Sequence, residues 1–440
     1  MKRRVRLGGR LWLAILVLGA VFLFPPRTEA QGNLPTDLQA LIAEALKANR
    51  EVKKWGEVKA ASTEAIRPAG TLDDPMLSFN LLNLPANTFA FDQEAMTQKQ
   101  IMLSQKFPFP GKLRLRSEIA QDQARADDLY YQDKANEVRA RVIQGYWSLS
   151  LAYAAYDITL RNKQFWEQVV QVAETRYGVG QGQQSDVLQA QVELGNYLDR
   201  LLQWRQRQES IQADLNALRS QPPQTAIPRP QPLRPRSFYL KREELLALEK
   251  NRPQLQALRA LVDKQGKGVD LARKDYYPDL TLGLAWGLRE DRALGQAVER
   301  RPDFFSSTMM INVPLWVGSK LKPRVREQRA RQAAAQEAYQ SAWDRFAAAI
   351  QDLYAKLWRL SQQVELYQGG IVPRARQAAE ASLAAYQVGA LDFARLYQDQ
   401  IAAYNAELQC QKYLQEFEIG WAEMEWLVGQ ELPRRPGGQS

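Results

Sequence analysis

Histidine is absent from the 440-residue chain, and Cys410 is its only cysteine. Without imidazole there can be no His-based triad, no histidine proton shuttle and no His-ligated zinc, so hydrolytic and metalloenzyme readings lose most of their support. A lone cysteine rules out an intramolecular disulfide even in an oxidising compartment, and one so far from the N-terminus is not a lipid-attachment residue. Long apolar runs are scarce too. Beyond the first thirty residues none approaches the roughly 20 residues of a spanning helix, so entry into a membrane would have to use strands. Positive charge is less abundant than the total suggests. Of the formal +10, about half belongs to the first thirty residues, where six Lys/Arg stand against one Glu. The remainder is an ordinary surface with neither zinc-finger spacing nor an RNP-like aromatic motif, so no nucleic-acid partner is expected.

What is present begins with a basic, apolar and small-residue order typical of a secretory signal. Lys2, Arg3, Arg4, Arg6 and Arg10 precede an apolar run over 11–24 and the segment Thr28-Glu29-Ala30, so residues 1–30 are expected to be a signal peptide cleaved after Ala30. The mature sequence then repeats itself. Ala45-Leu46-Lys47-Ala48-Asn49-Arg50 returns as Ala247-Leu248-Glu249-Lys250-Asn251-Arg252. Phe107-Pro108-Phe109-Pro110-Gly111-Lys112-Leu113 returns as Val313-Pro314-Leu315-Trp316-Val317-Gly318-Ser319-Lys320-Leu321, and Tyr177-Gly178-Val179-Gly180 as Tyr386-Gln387-Val388-Gly389. Such internal similarity restricts the architecture to two copies of one unit. The first spans 31–220, a linker covers 221–238, the second spans 239–429, and 430–440 is expected to be a flexible tail.

Each copy carries two strand-like segments and two long helical ones. Residues 36–67 read as one helix, with Leu38, Leu41, Ile42, Ala45 and Leu46 on one face. Alternation predicts strands over about 75–84 and 97–107, and again over 279–288 and 305–314, with a polar-aromatic loop at 85–96 and a charged one at 289–303. Strands with one apolar face suit a lipid-facing barrel or a soluble sandwich equally. Helices are expected over 112–178, 184–220, 319–388 and 391–428. Tyr339, Trp343, Phe346, Ile350, Leu353, Leu357, Leu360, Val364 and Tyr367 form a heptad seam, echoed by Tyr131, Ala135, Val138, Val142, Gly145, Leu149, Ala152 and Tyr156. The first long helix would be roughly 100 Å long, more than a compact domain needs. Gly369-Gly370-Ile371-Val372-Pro373 should loosen or kink the second. Six prolines in 221–236 predict an extended linker with solvated arginines.

Four strands cannot close a channel, and a lipid-exposed open sheet would leave edges unpaired in hydrocarbon, so several chains would have to pool them. On the duplicated order helix, strand, strand, long helix pair, and on the paired signatures above, residues 38–429 resemble the outer-membrane efflux protein (TolC-like) family. The segments Asp74-Pro75-Met76-Leu77, Asn83-Leu84-Pro85 and 96–113 further resemble the branch paired with heavy-metal resistance-nodulation-division pumps.

The resemblance implies a mainly α fold with a small β part. Two repeats of long antiparallel coiled-coil helices, with two strands each, would trimerise into a 12-stranded outer-membrane β-barrel continuous with a 12-helix α-barrel. It implies passive conduction from a periplasmic adaptor and an inner-membrane pump to the outside of a Gram-negative bacterium, with metal ions among the possible cargoes. No catalytic residue and no cofactor are expected. The other reading of the same elements is a soluble periplasmic coiled-coil adaptor or scaffold. By resemblance, the turns at Val179-Gly180 and Val388-Gly389 are adaptor-docking tips, and Asp186 and Tyr386 help to hold the periplasmic gate shut. Asp186 reads equally as a first-turn carboxylate, and Tyr386 as a packing aromatic. Arg395 and Gln398 stand where some relatives carry an acidic cation-binding ring, with Asp392 and Asp399 nearby. Pro108, Gly111, Pro314 and Gly318 mark the strand-to-helix turns.

Overall fold

The structure is a computed structural model and describes residues 34–434. The signal-peptide reading of 1–30 lies outside the described residues, as do 435–440. The first helical region is three helices, α1 (Thr36–Ala48), α2 (Arg50–Glu64) and α3 (Ile66–Gly70). Asn49 divides what the periodicity presents as one helix. Its backbone is extended, at φ −58° and ψ 127°, and its side chain accepts from the amides of Glu51 and Val52. An asparagine that satisfies the next helix's free N–H groups starts a helix as readily as it ends one.

Strands β1 (Met76–Leu82) and β2 (Gln98–Phe107) follow, then the 67-residue α4 (Lys112–Gly178) and its antiparallel partner α5 (Gln184–Leu218). The second copy comprises α6 (Arg242–Ala247), a 3₁₀ turn, α7 (Pro253–Lys274), β3 (Leu280–Leu288), a small hairpin of β4 (Arg292–Leu294) and β5 (Ala297–Glu299), and β6 (Phe304–Ile311). It continues as α8 (Lys322–Leu366), α9 (Val372–Gln387) and α10 (Phe393–Val428). The hairpin turns at Gly295 inside a loop that alternation alone leaves unstructured. Arg301 ties this loop to the other copy's, donating to the carbonyls of Asp92 and Glu94 at 3.0 and 3.1 Å.

The four long strands form one antiparallel sheet in the order β1-β2-β3-β6. Register puts Phe79 opposite Ile101, Ile101 opposite Trp286, and Trp286 opposite Phe305. One face is therefore mainly apolar, interrupted by Lys99, Gln105 and Ser307, and the other holds Ser78, Asn80, Gln100, Ser104, Thr281, Gly283, Ser306 and Thr308 together with Met102 and Met310. Among the described residues no second layer covers the apolar face, where Ile101 is 42% and Phe79 73% exposed. A soluble sandwich would bury that face.

The heptad seam of α8 is largely the core seam of the second copy. Phe346, Ile350, Leu357, Leu360 and Val364 are buried, whereas Trp343 stays exposed and donates its indole N–H to Glu249. The expected loosening or kink at 369–373 takes the form of a π-helical turn, Tyr367–Ile371, which passes the chain from α8 to α9 without ending the helix. One wide turn absorbs the two glycines and leaves Pro373 in the first turn of the next α-helical stretch, where its missing N–H costs little. The strand-to-helix turns also differ between copies. Gly111 adopts φ +91° before α4, while Gly318 lies in a second π turn, Val317–Leu321.

Two expectations about the connections need correction. The linker is a packed strap: Ile227, Pro230 and Leu233 are buried, and Arg236 pairs with Glu418 at 2.5 Å. The tail is packed through Arg434, with Leu432 and Arg434 buried against α10. Proline-rich chain is stiff and loses little entropy on docking, so composition alone does not distinguish a strap from a spacer.

Gly145 shows how closely α4 and α5 approach. A Cβ there would stand 2.6 Å from Leu215 Cδ2, and Leu215 is fully buried. Gly145→Ala is expected to cost about 1–3 kcal/mol through overpacking. The measurement is a thermal unfolding midpoint below that of the parent protein, and an unchanged midpoint would show that Leu215 has room to move.

Candidate functional site

The far end of the helices, opposite the sheet, is built by two reversals. Helix α4 ends in Tyr177-Gly178-Val179-Gly180 and α9 in Tyr386-Gln387-Val388-Gly389, with Gly180 and Gly389 at φ +74° and +77°. Glycine takes that backbone without a Cβ penalty, which is what a reversal within a few residues demands. Val179 and Val388 are exposed at the apices. Below them Trp166, Tyr197, Phe393, Leu396 and Tyr404 pack into a buried cluster that fixes the two hairpins against each other.

Tyr386 joins the hairpins. Its ring is 1% exposed, and its hydroxyl donates to Asp186 Oδ2 at 3.4 Å across the two copies. Asp186 is in the first turn of α5 and accepts from Tyr386, so both of its readings start from the same position. Burial, with the Asp186 charge beside it, pushes the Tyr386 phenol above its usual range, so it stays a neutral donor at ordinary pH.

Arg176, which the repeat comparison did not single out, supplies the rest of the junction. Its Nη1 donates to the Tyr386 carbonyl at 2.7 Å, its Nη2 to the Gln181 carbonyl at 3.1 Å, and its guanidinium stands 4.6 Å from the Tyr386 ring centroid. One side chain of α4 thus holds the end of α9 and its own reversal. The repeat gives no signal for it, since Ala385 stands at the matching position before Tyr386. A cleft of about 550 Å³ opens beside these groups, lined by Arg176, Gln183, Asp186, Tyr386 and Asp392.

A second cluster occupies the start of α10. Asp392 caps the helix by accepting from the Arg395 amide at 2.8 Å, and Arg395 Nε donates to Asp399 Oδ2 at 3.0 Å. Ser382 of α9 donates to the same Asp399 oxygen at 2.5 Å. Asp399 therefore answers the Arg395 charge within one helix turn. Gln398 is exposed and borders an apolar groove of about 480 Å³ with Leu188, Val192, Phe393 and Tyr397. The fold brings Asp186 and Tyr386 together, and Asp392, Arg395 and Asp399 together, as two groups. Among the described residues no bond links Asp186 to Arg395.

Comparison with known proteins places both copies. The family model described as outer membrane efflux protein matches residues 41–219 and 246–430. The alkaline protease secretion protein AprF of Pseudomonas aeruginosa is 25% identical over 228 residues, 50% of this chain and 46% of AprF. The fusaric acid resistance protein FusA of Burkholderia cepacia is 27% identical over 174 residues, 39% of this chain and 33% of FusA. These matches span about half or less of either curated relative. The solved outer membrane protein VceC of Vibrio cholerae superposes with a TM-score of 0.76 at 18% identity, covering 90% of this chain and 96% of VceC, and so shares its fold. With both repeats matched by one family model, the chain belongs to the outer membrane efflux protein family.

Proposed function

We propose that three copies of this chain form an outer-membrane channel that passively conducts substrate from a periplasmic adaptor and an inner-membrane pump to the outside. The observation that carries this reading is the four-stranded sheet, which among the described residues has a bare apolar face and free outer edges on β1 and β6. Unpaired edges are not tolerated in hydrocarbon, and pairing β6 of one copy with β1 of the next closes twelve strands. The long helices leave the same sheet and would form one ring of helices below one ring of strands. A soluble scaffold has no use for an uncovered apolar sheet.

In this reading the helical tips lie in the periplasm. Tyr386, held by Arg176 and Asp186, keeps the two hairpins together in the closed state. The exposed apices Val179-Gly180 and Val388-Gly389 are the adaptor's docking points. Arg395, answered by Asp399, gives the aperture a balanced charge in place of an acidic ring, with Gln398 and Asp392 beside it. The pump is of the resistance-nodulation-division type, and the resemblance of residues 74–113 makes metal ions the first cargo to examine. Growth of a deletion strain on copper, zinc and cobalt, against bile salts and dyes, separates metals from organic cargo.

The test of the channel itself is extraction followed by conductance. The protein is expected to stay in the membrane fraction until detergent is added, to run as a trimer, and to give discrete conductance steps in planar bilayers. Release by salt alone, as a soluble protein, overturns the reading.

A further inference from the structure

Just below the sheet, residues 320–331 carry six cations, Lys320, Lys322, Arg324, Arg326, Arg329 and Arg331, against the single carboxylate Glu327. A helix advances about 100° per residue, so within α8 these side chains fall on two flanks. Lys322, Arg326 and Arg329 share an arc of roughly 60°, and Arg324 and Arg331 lie on the opposite side. Between the flanks runs the stripe that faces α7. Val325 packs with Val269 and Ala272, while Gln328 and Gln332 lie against Gly268 and Gly266.

Ion pairs show which flank looks where. Arg324 pairs with Asp275 at 3.4 Å, Asp275 with Lys112 at 3.4 Å, Lys112 with Asp279 at 2.8 Å, and Asp279 with Lys106 at 3.3 Å. Lys106 is in step with Ser104 on β2, and Asp279 with Thr281 at the start of β3, so this chain of charges ends on the sheet's polar face. The Arg324 flank therefore continues the inward side. The flank of Lys322, Arg326 and Arg329 continues the apolar, outward side, and among the described residues none of these three cations has an ion pair.

We infer that Lys322, Arg326 and Arg329 form a binding surface for anionic phospholipid headgroups at the periplasmic face of the outer membrane. The inference rests on the channel reading above and adds the partner of this flank. Continuity with the lipid-facing band supports it. Leu315 and Trp316, just before the π turn that leads into α8, are 74% and 71% exposed, and an exposed tryptophan suits the boundary between hydrocarbon and headgroups. Lys322 to Arg329 spans about 10 Å along the helix. A headgroup layer of roughly 5–8 Å and a Debye length of about 8 Å bring all three cations within reach of lipid phosphates. Three copies would surround the channel with nine such cations.

The experiment measures lipid retained by purified trimer after equilibration in mixed micelles of phosphatidylglycerol and phosphatidylethanolamine. The parent protein is expected to retain phosphatidylglycerol at about fivefold or more above the bulk ratio. Lys322→Gln/Arg326→Gln/Arg329→Gln should fall to the bulk ratio, and Lys322→Arg/Arg326→Lys/Arg329→Lys should keep the enrichment. The inward pair, Arg324→Gln/Arg331→Gln, should also keep it. Equal enrichment in the parent and the outward triple variant, or loss in the inward pair instead, overturns the inference. Conductance recorded on the same preparations separates the two readings. A conducting trimer without phosphatidylglycerol enrichment overturns this inference alone, while a protein that never forms a pore overturns the channel reading as well.

Discussion

The combined variant Arg176→Gln/Asp186→Asn/Tyr386→Phe is expected to conduct as an open channel where the parent protein is nearly closed. Each protomer loses the hydroxyl contact between Tyr386 and Asp186 and the Arg176 bond to the Tyr386 carbonyl. At about 1 kcal/mol net per hydrogen bond, two per protomer and three protomers make about 6 kcal/mol of closed-state bias. A shift of about 5.5 kcal/mol takes a two-state equilibrium from 1:99 to 99:1, so the change should appear as a large rise in single-channel conductance. The single variants should rank. Arg176→Gln removes a 2.7 Å bond and a cation stacked on a buried ring, whereas Asp186→Asn weakens a 3.4 Å contact, so the arginine variant should open further. Unchanged conductance in a verified trimer would reduce all three to packing residues. The reverse ranking would leave the latch standing but move its weight to Asp186.

The sheet and the seam were legible in the sequence because each is written in a local period. Leu282, Leu284, Trp286 and Leu288 alternate along β3 with Gly283, Ala285 and Gly287, and every one falls on the face that alternation assigns it. Phe346, Ile350, Leu357, Leu360 and Val364 recur at heptad spacing and are buried. What escaped was decided by partners far away in the chain. The Asn49 break is fixed by capping and by a side-chain bond to the Leu218 carbonyl at 2.9 Å, which no periodicity records. Arg176 looks like any exposed helical arginine until α9 arrives 210 residues later. The tip glycines were legible for the opposite reason, since a positive φ is a demand of the residue itself.

The same long-range dependence sets the second large prediction, at the packed tail. Glu418 and Glu425 of α10 are 1% and 3% exposed. Arg434 reaches both, at 3.2 Å to Glu418 Oε2 and 2.8 Å to Glu425 Oε2, while Arg236 of the strap holds the other Glu418 oxygen at 2.5 Å and Arg139 of α4 stands 3.3 Å from Glu425 Oε2. The arrangement fastens linker and tail to α10 and α4. Replacing Arg434 with methionine leaves two buried carboxylates short of a cation, a loss expected to cost about 3–5 kcal/mol near pH 8. Burial pushes the Glu418 carboxyl above its ordinary value, outweighing the attraction of Arg236 and Arg434. A native carboxyl that holds its proton more tightly than the unfolded chain is destabilised as pH rises from the unfolded pKa through the native one. Removing Arg434 should deepen that dependence, so the variant is expected to lose much less stability at pH 5 than at pH 8. Thermal unfolding of detergent-solubilised trimer at the two pH values, at one scan rate, reads the difference. Adding Glu418→Gln and Glu425→Gln to Arg434→Met should recover much of the midpoint, because neutral amides no longer need the missing cation. An Arg434→Met protein that unfolds like its parent at both pH values would show that Arg236 and Arg139 suffice and that the tail is only draped over the helices.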